Sequence, residues 1–352
     1  MRNLLILLSS IFLLSSCMKW DYRDDITDFD DNSFGLFILS EGNFQYGNAS
    51  LSFYNPANNK IQNEIFYRAN GMKLGDVAQS MTIFNDKGWI VVNNSHVVFA
   101  IDVDTYKETG RIVNLTSPRY IHFLNDKKAY VTQLWDNRIF IIDPSSYTIS
   151  GFIEVPDMSP GSGSTEQMVQ IGRYVYCNCW SYQNKIIKID TETDMVVASL
   201  EIGLQPNSLV KDNKDRLWTI TDGGYEGSPS GYEAPALYCI DTKTFQIEKY
   251  FAMQTGDTPS EIQINGDGNT LYWINNDVWK MSIDSEFLPN EPFIPYQDTK
   301  YYGLTVNPKN EEVYVADAID YSQQGMVYRY DIDGNLIDRF YVGITPGAFC
   351  WK

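Results

Sequence analysis

Short segments rich in β-branched and aromatic residues alternate along most of the chain with turns rich in Asn, Asp, Gly and Pro. The pattern is clear where strands are predicted at Pro118–Leu124, Ala129–Gln133, Arg138–Ile142 and Thr148–Val155. This composition favours pleated strands joined by tight turns. Several strands are apolar over nearly their whole length, as expected for sheets covered on both faces. No helical period extends over a useful length, so the pattern predicts an all-β protein.

A short motif marks an internal repeat. In seven places a strand ends in an apolar or aromatic residue followed by Asn or Asp. The motif occurs at Tyr54-Asn55, Ile101-Asp102, Ile142-Asp143, Ile189-Asp190, Ile240-Asp241, Ile283-Asp284 and Tyr330-Asp331. Successive copies lie 41 to 51 residues apart, close to the length of a four-stranded propeller blade. Seven similar units favour a seven-bladed β-propeller over a β-sandwich, which is the main alternative.

The two ends of the predicted propeller are complementary. Ile344–Lys352 has the pattern of the first strand of a repeat whose other strands are missing. Phe34–Ser40 has the pattern of a second strand with no first strand before it. A C-terminal strand that completes the first blade would close the ring and leave no free strand edge. We therefore predict an all-β, seven-bladed β-propeller over residues 34–352, with the C-terminal strand completing the first blade.

The N-terminal residues have the layout of a secretory signal. Arg2 precedes an apolar run, Leu4–Leu14, that is too short to span a bilayer, and Cys17 follows it closely. The segment Leu14–Cys17 resembles the lipobox of bacterial lipoproteins. The resemblance implies that residues 1–16 are a lipoprotein signal peptide and that Cys17 becomes lipidated. The alternative is an ordinary cleaved signal with a cysteine at this place by chance.

The stretch after Cys17 is polar and acidic, so residues 17–33 are predicted to form a flexible tether. It resembles the surface-export signal of Bacteroides lipoproteins, although its acids begin a few residues late, after Lys19 and Trp20. We expect a protein that is lipid-anchored in the outer membrane and exposed at the cell surface. The alternative is a solvated spacer on a lipoprotein that faces the periplasm.

Charge and cysteine content narrow the partners and the metal chemistry. The net charge of −18 argues against nucleic acid or an anionic membrane surface as a partner, because both require a basic face. Apart from Cys17, the cysteines are predicted to be small buried residues: Cys177, Cys179, Cys239 and Cys350. One disulfide could form among them, and their spacing does not favour a zinc site.

Four predicted loops between the second and third strands of a blade are long: Glu41–Asn48, Trp180–Gln183, Asp222–Glu233 and Asp317–Gln324. In a propeller these loops share one end of the ring with the connections between blades. Most turns at the other end are short. Because binding residues concentrate on loops, we predict the ligand site at the long-loop end, around the mouth of the central channel.

Neutral amides and large aromatic rings dominate the predicted binding face. Amides donate and accept hydrogen bonds and rings supply broad apolar contact, so this face suits a ligand fringed with amides or hydroxyls. A phosphate ligand would require more Arg or Lys. For any single residue, the alternative is that it caps a turn or fills a gap between blades. The predicted ligand-binding residues are Asn43, Phe44, Gln79, Asn93, Asn94, Arg119, Tyr120, Gln133, Trp135, Gln167, Trp180, Tyr182, Tyr225, Asn275, Tyr301, Tyr302 and Tyr321.

Catalytic groups are scarce in the sequence. His96 and His122 are the only histidines, and no Gly-x-Ser-x-Gly nucleophile motif is present. Glu41 and Glu261 could act as a pair of acids on a glycosidic bond, but the sequence gives no evidence of their separation. We therefore predict no catalytic residue, no metal site and no required cofactor, and a binding protein rather than an enzyme.

Five segments carry a family resemblance: Phe37–Asn43, Asn48–Tyr54, Leu74–Ser80, Tyr302–Asn307 and Pro346–Phe349. They resemble the YncE-like seven-bladed propeller lipoproteins of Bacteroides. The resemblance covers nearly the whole chain after the tether. These segments are specific to the family but not to one ligand within it.

Among characterised members of that family, the resemblance is greatest to the BtuG-like lipoproteins that capture vitamin B12. It implies tight binding of cobalamin or related corrinoids on one propeller face, and transfer to a BtuB-like TonB-dependent transporter in the outer membrane. Cobalamin is then a transported ligand rather than a cofactor. Three alternatives are a surface glycan-binding lipoprotein, a propeller lactonase or lyase, and a scaffold that only docks a partner.

Overall fold

A computed structural model describes residues 33–158 and 161–352, which form seven antiparallel sheets arranged as the blades of a β-propeller. Blade 1 contains β1 (Leu36–Ser40), β2 (Ser50–Asn55), β3 (Lys60–Gln62) and the C-terminal β27 (Pro346–Trp351). Blade 2 contains β4 (Ala78–Phe84), β5 (Lys87–Val92), β6 (Val97–Asp102) and β7 (Glu108–Ile112). Blade 3 contains β8 (Pro118–Asn125), β9 (Lys128–Gln133), β10 (Arg138–Asp143) and β11 (Thr148–Glu154). Blade 4 contains β12 (Thr165–Ile171), β13 (Tyr174–Cys179), β14 (Lys185–Asp190) and β15 (Met195–Glu201).

The remaining blades follow in chain order. Blade 5 contains β16 (Pro206–Lys211), β17 (Leu217–Thr221), β18 (Ala236–Asp241) and β19 (Gln246–Ala252). Blade 6 contains β20 (Ser260–Ile264), β21 (Thr270–Asn275) and β22 (Asp277–Ser282). Blade 7 contains β23 (Tyr301–Val306), β24 (Val313–Asp317), β25 (Gln324–Tyr330) and β26 (Leu336–Ile344). The predicted seven-bladed propeller is confirmed.

One strand of each blade, its inner strand, contacts the corresponding strand of the neighbouring blades. The inner strands are β27, β4, β8, β12, β16, β20 and β23. Contacts from β23 to β27 and from β27 to β4 complete the circle. The seven inner strands therefore wall the central channel, and the side chains that they turn inward set its chemistry.

The C-terminal strand closes the ring. β27 pairs antiparallel with β1, with Leu36 opposite Trp351 and Ile38 opposite Phe349. Because this sheet contains both ends of the propeller, neither end leaves an unpaired inner edge. The prediction that the C-terminal strand completes the first blade is confirmed.

The core lies between neighbouring blades and includes one large ring from the second strand of each blade. The rings are Phe37, Trp89, Tyr130, Tyr176, Trp218, Tyr272 and Tyr314, none more than 2% exposed. Two of the tyrosines also reach the next blade through their hydroxyls. Tyr130 donates to Asp194, and Tyr176 donates to the carbonyl of Thr242. Buried rings supply apolar area and these hydrogen bonds fix how adjacent blades sit against each other.

Blade 6 departs from the predicted four strands, because its sheet has three. Where a fourth strand would lie, the described chain makes an isolated bridge between Val278 and Ile294. This segment contains Pro289, Pro292 and Pro295, and proline cannot donate a hydrogen bond to a strand ladder. The outer edge of blade 6 is therefore irregular chain.

A short helix, α1 (Ile65–Asn70), follows β3 although the sequence shows no helical period of useful length. It is six residues long, too short for a 3.6-residue period to repeat. Ile65 and Phe66 are buried in the core between blades 1 and 2. The helix is thus held by packing and not by its own periodicity.

Cys177, Cys179 and Cys239 are buried, Cys350 is half-buried, and all four are free thiols. They pack as small apolar residues, in agreement with their predicted role. Within residues 33–158 and 161–352, no helix is long and apolar enough to cross a bilayer. The predicted signal peptide, Cys17 and nearly all of the predicted tether lie outside the described residues.

Candidate ligand-binding site

A β-bulge lies at the start of every inner strand. The pairing with the adjacent strand of the blade skips one or two residues, as between Ala78 and Ser80 or between Tyr301 and Gly303. A skipped residue turns its side chain out of the regular alternation of the strand. The second residue of each inner strand is skipped in this way. These residues form what we call the bulge ring: Gln79, Arg119, Glu166, Asn207, Glu261, Tyr302 and Gly347.

All residues of the bulge ring line one open cavity of about 860 Å³ at the long-loop end of the channel. Its rim is aromatic. Trp135 and Tyr225 are 45% and 51% exposed, and Trp180 and Tyr182 line the same cavity from the loop of blade 4. Rings at the rim and hydrogen-bonding groups on the floor are the usual composition of a site for an organic ligand.

Arg119 and Glu166 form an ion pair on the floor of the cavity. The Nε of Arg119 donates to both carboxylate oxygens of Glu166, at 3.0 and 2.8 Å. Its Nη1 also donates to the side-chain oxygen of Gln79. Glu166 is 2% exposed, and Arg119 is the only cation among the lining residues of the described chain. The charge of this guanidinium is therefore neutralised by a carboxylate of the protein itself.

Glu41 occupies the space that a side chain at position 347 would fill. A Cβ added to Gly347 would lie 2.8 Å from Oε1 of Glu41 and 3.0 Å from the ring of Tyr302. The hydroxyl of Tyr302 donates to the same carboxylate oxygen at 3.0 Å. Burial raises the pKa of Glu41, and the hydrogen bond from Tyr302 and the charge of Arg119 oppose it. Glycine at 347 thus lets a carboxyl from the first loop complete the ring.

Glu261 differs from the other members of the bulge ring. Its φ is +56°, in the left-handed region, and no other residue of the ring has a positive φ. Within the described residues, no hydrogen bond or ion pair reaches its carboxyl group. Burial and the nearby charge of Glu41 raise its pKa to about 8, and Arg119 opposes that rise. A left-handed non-glycine residue costs about 1–3 kcal/mol, and such residues cluster at functional sites.

The structure brings ten of the predicted ligand-binding residues into this cavity. They are Gln79, Arg119, Tyr120, Trp135, Gln167, Trp180, Tyr182, Tyr225, Tyr301 and Tyr302. The others do not line it: Asn43, Phe44, Asn93, Asn94, Gln133, Asn275 and Tyr321.

Two of the amides outside the cavity are buried and tie loops together. Asn93 donates to Oγ of Ser117 and to the carbonyl of Pro118, each at 3.0 Å. Oε1 of Gln133 accepts from the backbone amides of Thr116 and Ser117. A buried amide must be hydrogen-bonded. These two residues therefore fit the alternative in which an amide caps a turn.

Other predicted residues lie in turns or at a strand end and do not line the cavity. Asn43 donates to the backbone carbonyl of Tyr321 at 2.7 Å, which joins the loops of blades 1 and 7. Phe44 is 64% exposed. Asn94 and Asn275 each bond to a neighbouring loop. The three asparagines therefore join loops to one another and do not form the walls of the cavity.

The polar lining residues that the predicted list omitted include Glu41, Glu166, Asn207 and Glu261. The signal that could have found three of them is their place as the second residue of an inner strand. The predicted binding residues were chosen mainly among aromatic rings and neutral amides, and this choice left the carboxyl residues out of the list. Of the two histidines, His122 bonds to Gln170, and burial lowers its pKa. Across the described ranges, no group of three or more His, Cys, Asp or Glu side chains is placed to hold a metal ion.

Solved structures with this fold include proteins of different descriptions. A quinonprotein alcohol dehydrogenase-like protein of Bacteroides thetaiotaomicron is 15% identical, with a TM-score of 0.67, over 91% of this chain and 78% of that one. A proposed 6-phosphogluconolactonase of Bacteroides fragilis is 14% identical, with a TM-score of 0.65, over 91% and 98% of the two chains. The periplasmic gluconolactonase of Pseudomonas aeruginosa is 11% identical, with a TM-score of 0.65, over 90% and 98%.

These neighbours correct one prediction. The exclusion of an enzyme is wrong as it was stated, because propellers similar to this chain include proteins with lactonase names. At 11–14% identity the likeness shows the fold alone. It therefore leaves an enzymatic activity open without assigning one.

The sequence itself matches a family over most of the propeller. No curated protein matches the chain. The family described as Domain of unknown function (DUF5074) matches residues 34–343. The resemblance to Bacteroides propellers is supported at this coarser level, and the relation to vitamin B12 capture stays a prediction. The chain belongs to the DUF5074 family.

Proposed function

We propose that this protein captures cobalamin or a related corrinoid at the mouth of the channel. The observation that carries the proposal is the combination of an aromatic rim and a polar floor in one cavity of about 860 Å³. A corrinoid is a broad ring fringed with amides, so it requires wide apolar contact together with hydrogen-bonding groups around its edge. Aromatic rings supply the first, and amides, hydroxyls and carboxyls supply the second.

The ring of Trp180 on the rim is held in place before a ligand binds. The Nε1 of Trp180 donates to Asp222 at 2.9 Å, and the guanidinium of Arg119 lies 5.9 Å from the centre of its ring. Tyr225 lies near enough to raise the pKa of the Tyr182 phenol. A ring that is already fixed loses little freedom on binding, so more of its contact energy appears as affinity.

The proposal includes a place in the cell and a partner. A lipid on Cys17 would hold the propeller at the outer membrane through the acidic tether, exposed at the cell surface. The captured corrinoid would pass to a BtuB-like TonB-dependent transporter. The sequence of the first residues and the family resemblance support this part. A net charge of −18 suits attachment through a lipid better than attachment through a basic face.

Calorimetric titration with cyanocobalamin of the protein that begins after Cys17 tests the proposal. We expect one binding site per chain and a raised melting temperature, because a ligand that binds the folded state stabilises it. No heat of binding together with no shift in melting temperature would overturn the proposal. The same titration with oligosaccharides would then test the glycan-binding alternative.

A second candidate function is hydrolysis of a sugar lactone, and Glu261 is the observation that favours it. The ionised form of a carboxyl whose pKa is about 8 is a stronger base than an ordinary carboxylate, so as the pH rises towards 8 it can take a proton from water. The water oxygen would then add to the lactone carbonyl, the ring C–O bond would break, and the proton would pass to the departing oxygen. Acid release from gluconolactone above the spontaneous rate, lost in Glu261→Gln, would support this candidate. A rate equal to the spontaneous one would exclude it for this substrate.

A further inference from the structure

Glu261 is the residue of the bulge ring whose carboxyl group has no hydrogen-bond partner among the described residues. The members from blades 2 to 4 bond to one another. Asn207 donates to the carbonyl of Pro259 at 2.8 Å. Tyr302 donates to Glu41. Within the described chain, only the carboxyl of Glu261 faces this cavity from the ring without such a partner.

The groups that face Glu261 favour its neutral form. Burial disfavours the ionised form of Glu261, and the like charge of Glu41 adds to that effect. Of the described residues, Arg119 is the cation that acts on Glu261, and its Nε is already paired with Glu166. Tyr120 and Tyr302 are phenols whose pKa burial raises, so they stay protonated. With its pKa at about 8, the Glu261 carboxyl carries its proton at neutral pH.

We propose that Glu261, in its protonated form, binds a primary carboxamide on the edge of the ligand and so selects amide-fringed ligands. The inference rests on the proposed corrinoid capture and names the group that this site recognises. A carboxylic acid and a primary amide are complementary. The acid O–H donates to the amide oxygen, and an amide N–H donates to the acid carbonyl.

The bulge explains why this residue is able to act in that way. The left-handed backbone at Glu261 takes its side chain out of the strand ladder and aims it at the cavity. A residue held there by the sheet meets the ligand without rearrangement. Ionisation of the acid would remove its donor and set a negative charge against the amide oxygen. Affinity should therefore fall as the pH rises past about 8.

The first experiment compares the affinity for cyanocobalamin at pH 6.5 and pH 9.5 in matched variants. The wild-type protein should bind at least about tenfold more weakly at the higher pH, since ionisation of one contact group is worth about one such factor. Glu261→Gln keeps a donor and an acceptor at both values, so its affinity should hardly change. Glu261→Ala should bind weakly at both. Glu201→Gln, the same change on the exposed outer strand β15, should follow the wild type.

The second experiment identifies the ligand group. Corrinoid derivatives in which one primary amide has been hydrolysed to a carboxylate are titrated into the wild type and into Glu261→Ala. One derivative should bind the wild type at least about tenfold more weakly than cyanocobalamin, because a carboxylate meets the acidic floor without an N–H to donate. That penalty should shrink in Glu261→Ala. Equal melting temperatures of the free variants would show that both are folded.

Each outcome bears on a different statement. If the wild type binds no corrinoid, the proposed function fails and the inference fails with it. If the wild type binds but Glu261→Ala binds equally well, or affinity rises with pH, the inference alone is overturned. If Glu261→Gln loses binding at both pH values, the amide complementarity is wrong. Retained binding in Glu261→Gln with loss of any lactonase activity would separate recognition from proton transfer.

Discussion

On either side of Asn207 in blade 5, the two halves of the bulge ring use the same backbone device and reach opposite electrostatic results. In the half from blades 2 to 4, Arg119 and Glu166 neutralise each other at 2.8 Å and hold a neighbouring amide. In the half completed by blades 6, 7 and 1, Glu261 and Glu41 face the cavity without a cation of their own. The pKa of both carboxyls is raised.

The comparison shows that position and chemistry are set separately in this propeller. A bulge at the second residue of each inner strand decides that its side chain enters the mouth. The identity of that residue decides whether its charge is used inside the protein or stays available to a ligand. The half from blades 2 to 4 is therefore a fixed wall, and the half with Glu261 is the adaptable part of the floor.

The largest effect is expected from breaking the ion pair in the half from blades 2 to 4. Arg119→Met would leave Glu166 buried and without its partner, so the free energy of unfolding should fall by about 3–5 kcal/mol in urea denaturation. Lys211→Met breaks a surface pair with Asp215, whose side chain is 60% exposed, and should cost less than about 1 kcal/mol. The double variant Arg119→Met/Glu166→Gln should recover most of the loss. A single-variant loss as small as that of Lys211→Met would mean that the wall is not held by this pair.

The next largest effect should come from the aromatic rim beside the half from blades 2 to 4, and it should be an effect on ligand affinity. Trp180→Ala removes a ring that Asp222 holds in place, so affinity for cyanocobalamin should fall by about 1–4 kcal/mol with the fold intact. Trp135→Ala removes a more exposed ring and should have the smaller effect of the two. Phe152→Ala, a 55% exposed ring on the outer strand β11, is the matched control. Unchanged calorimetric affinity in both tryptophan variants would move the site away from this rim.

In the half from blades 6, 7 and 1, a substitution that disturbs the contact between Gly347 and Glu41 should have a smaller effect on stability. Gly347→Ala places a methyl 2.8 Å from Oε1 of Glu41 and should displace the hydrogen bond from Tyr302, for a loss of about 1–2 kcal/mol in thermal unfolding. Gly151→Ala is the control, because its added Cβ would lie 3.6 Å from Ile141, at an ordinary contact distance. If the two glycine variants unfold alike, Glu41 does not complete the ring in the way described.

The fold could be predicted from local patterns in the sequence because each blade repeats the same patterns. The Asn or Asp motif and the unmatched ends of the chain sufficed to predict seven blades and the pairing of β27 with β1. The missing strand of blade 6 was not predicted, since its landmark Ile283-Asp284 is present and only the prolines after it signal the difference.

The site was predicted less completely for a physical reason. The long loops predicted a site at the end of the channel where the cavity lies, and rings such as Trp180 line that cavity. Asn93 and Gln133 have the same side-chain chemistry as lining residues, but their partners come from adjacent loops that only the fold brings near. The pKa of Glu261 is raised first by burial in the folded propeller and then by the charge of Glu41, which lies 220 positions away in the chain. Such pairings are not encoded in local patterns.

The smallest predicted effect is the change in stability with pH that the carboxyl of Glu261 causes. Folding raises the pKa of Glu261 from its ordinary value of 4.5 to about 8. The folded state therefore holds this proton more tightly, so the contribution to stability is full below about pH 4.5 and is lost as the pH rises towards 8. Glu261→Gln has no proton to lose. The wild type should thus lose about 1 kcal/mol relative to this variant between pH 5 and pH 8.5, a figure reduced by the water of the open cavity.

Urea denaturation of the wild type, Glu261→Gln and the outer-strand control Glu201→Gln at both pH values measures this difference. The control should keep a constant offset from the wild type, because its carboxyl lies on the exposed edge of blade 4. Parallel pH dependence in the wild type and Glu261→Gln would show that Glu261 is already ionised well below pH 8. The acidic half would then carry its full negative charge at neutral pH, and an acid that donates to a ligand amide could not exist there.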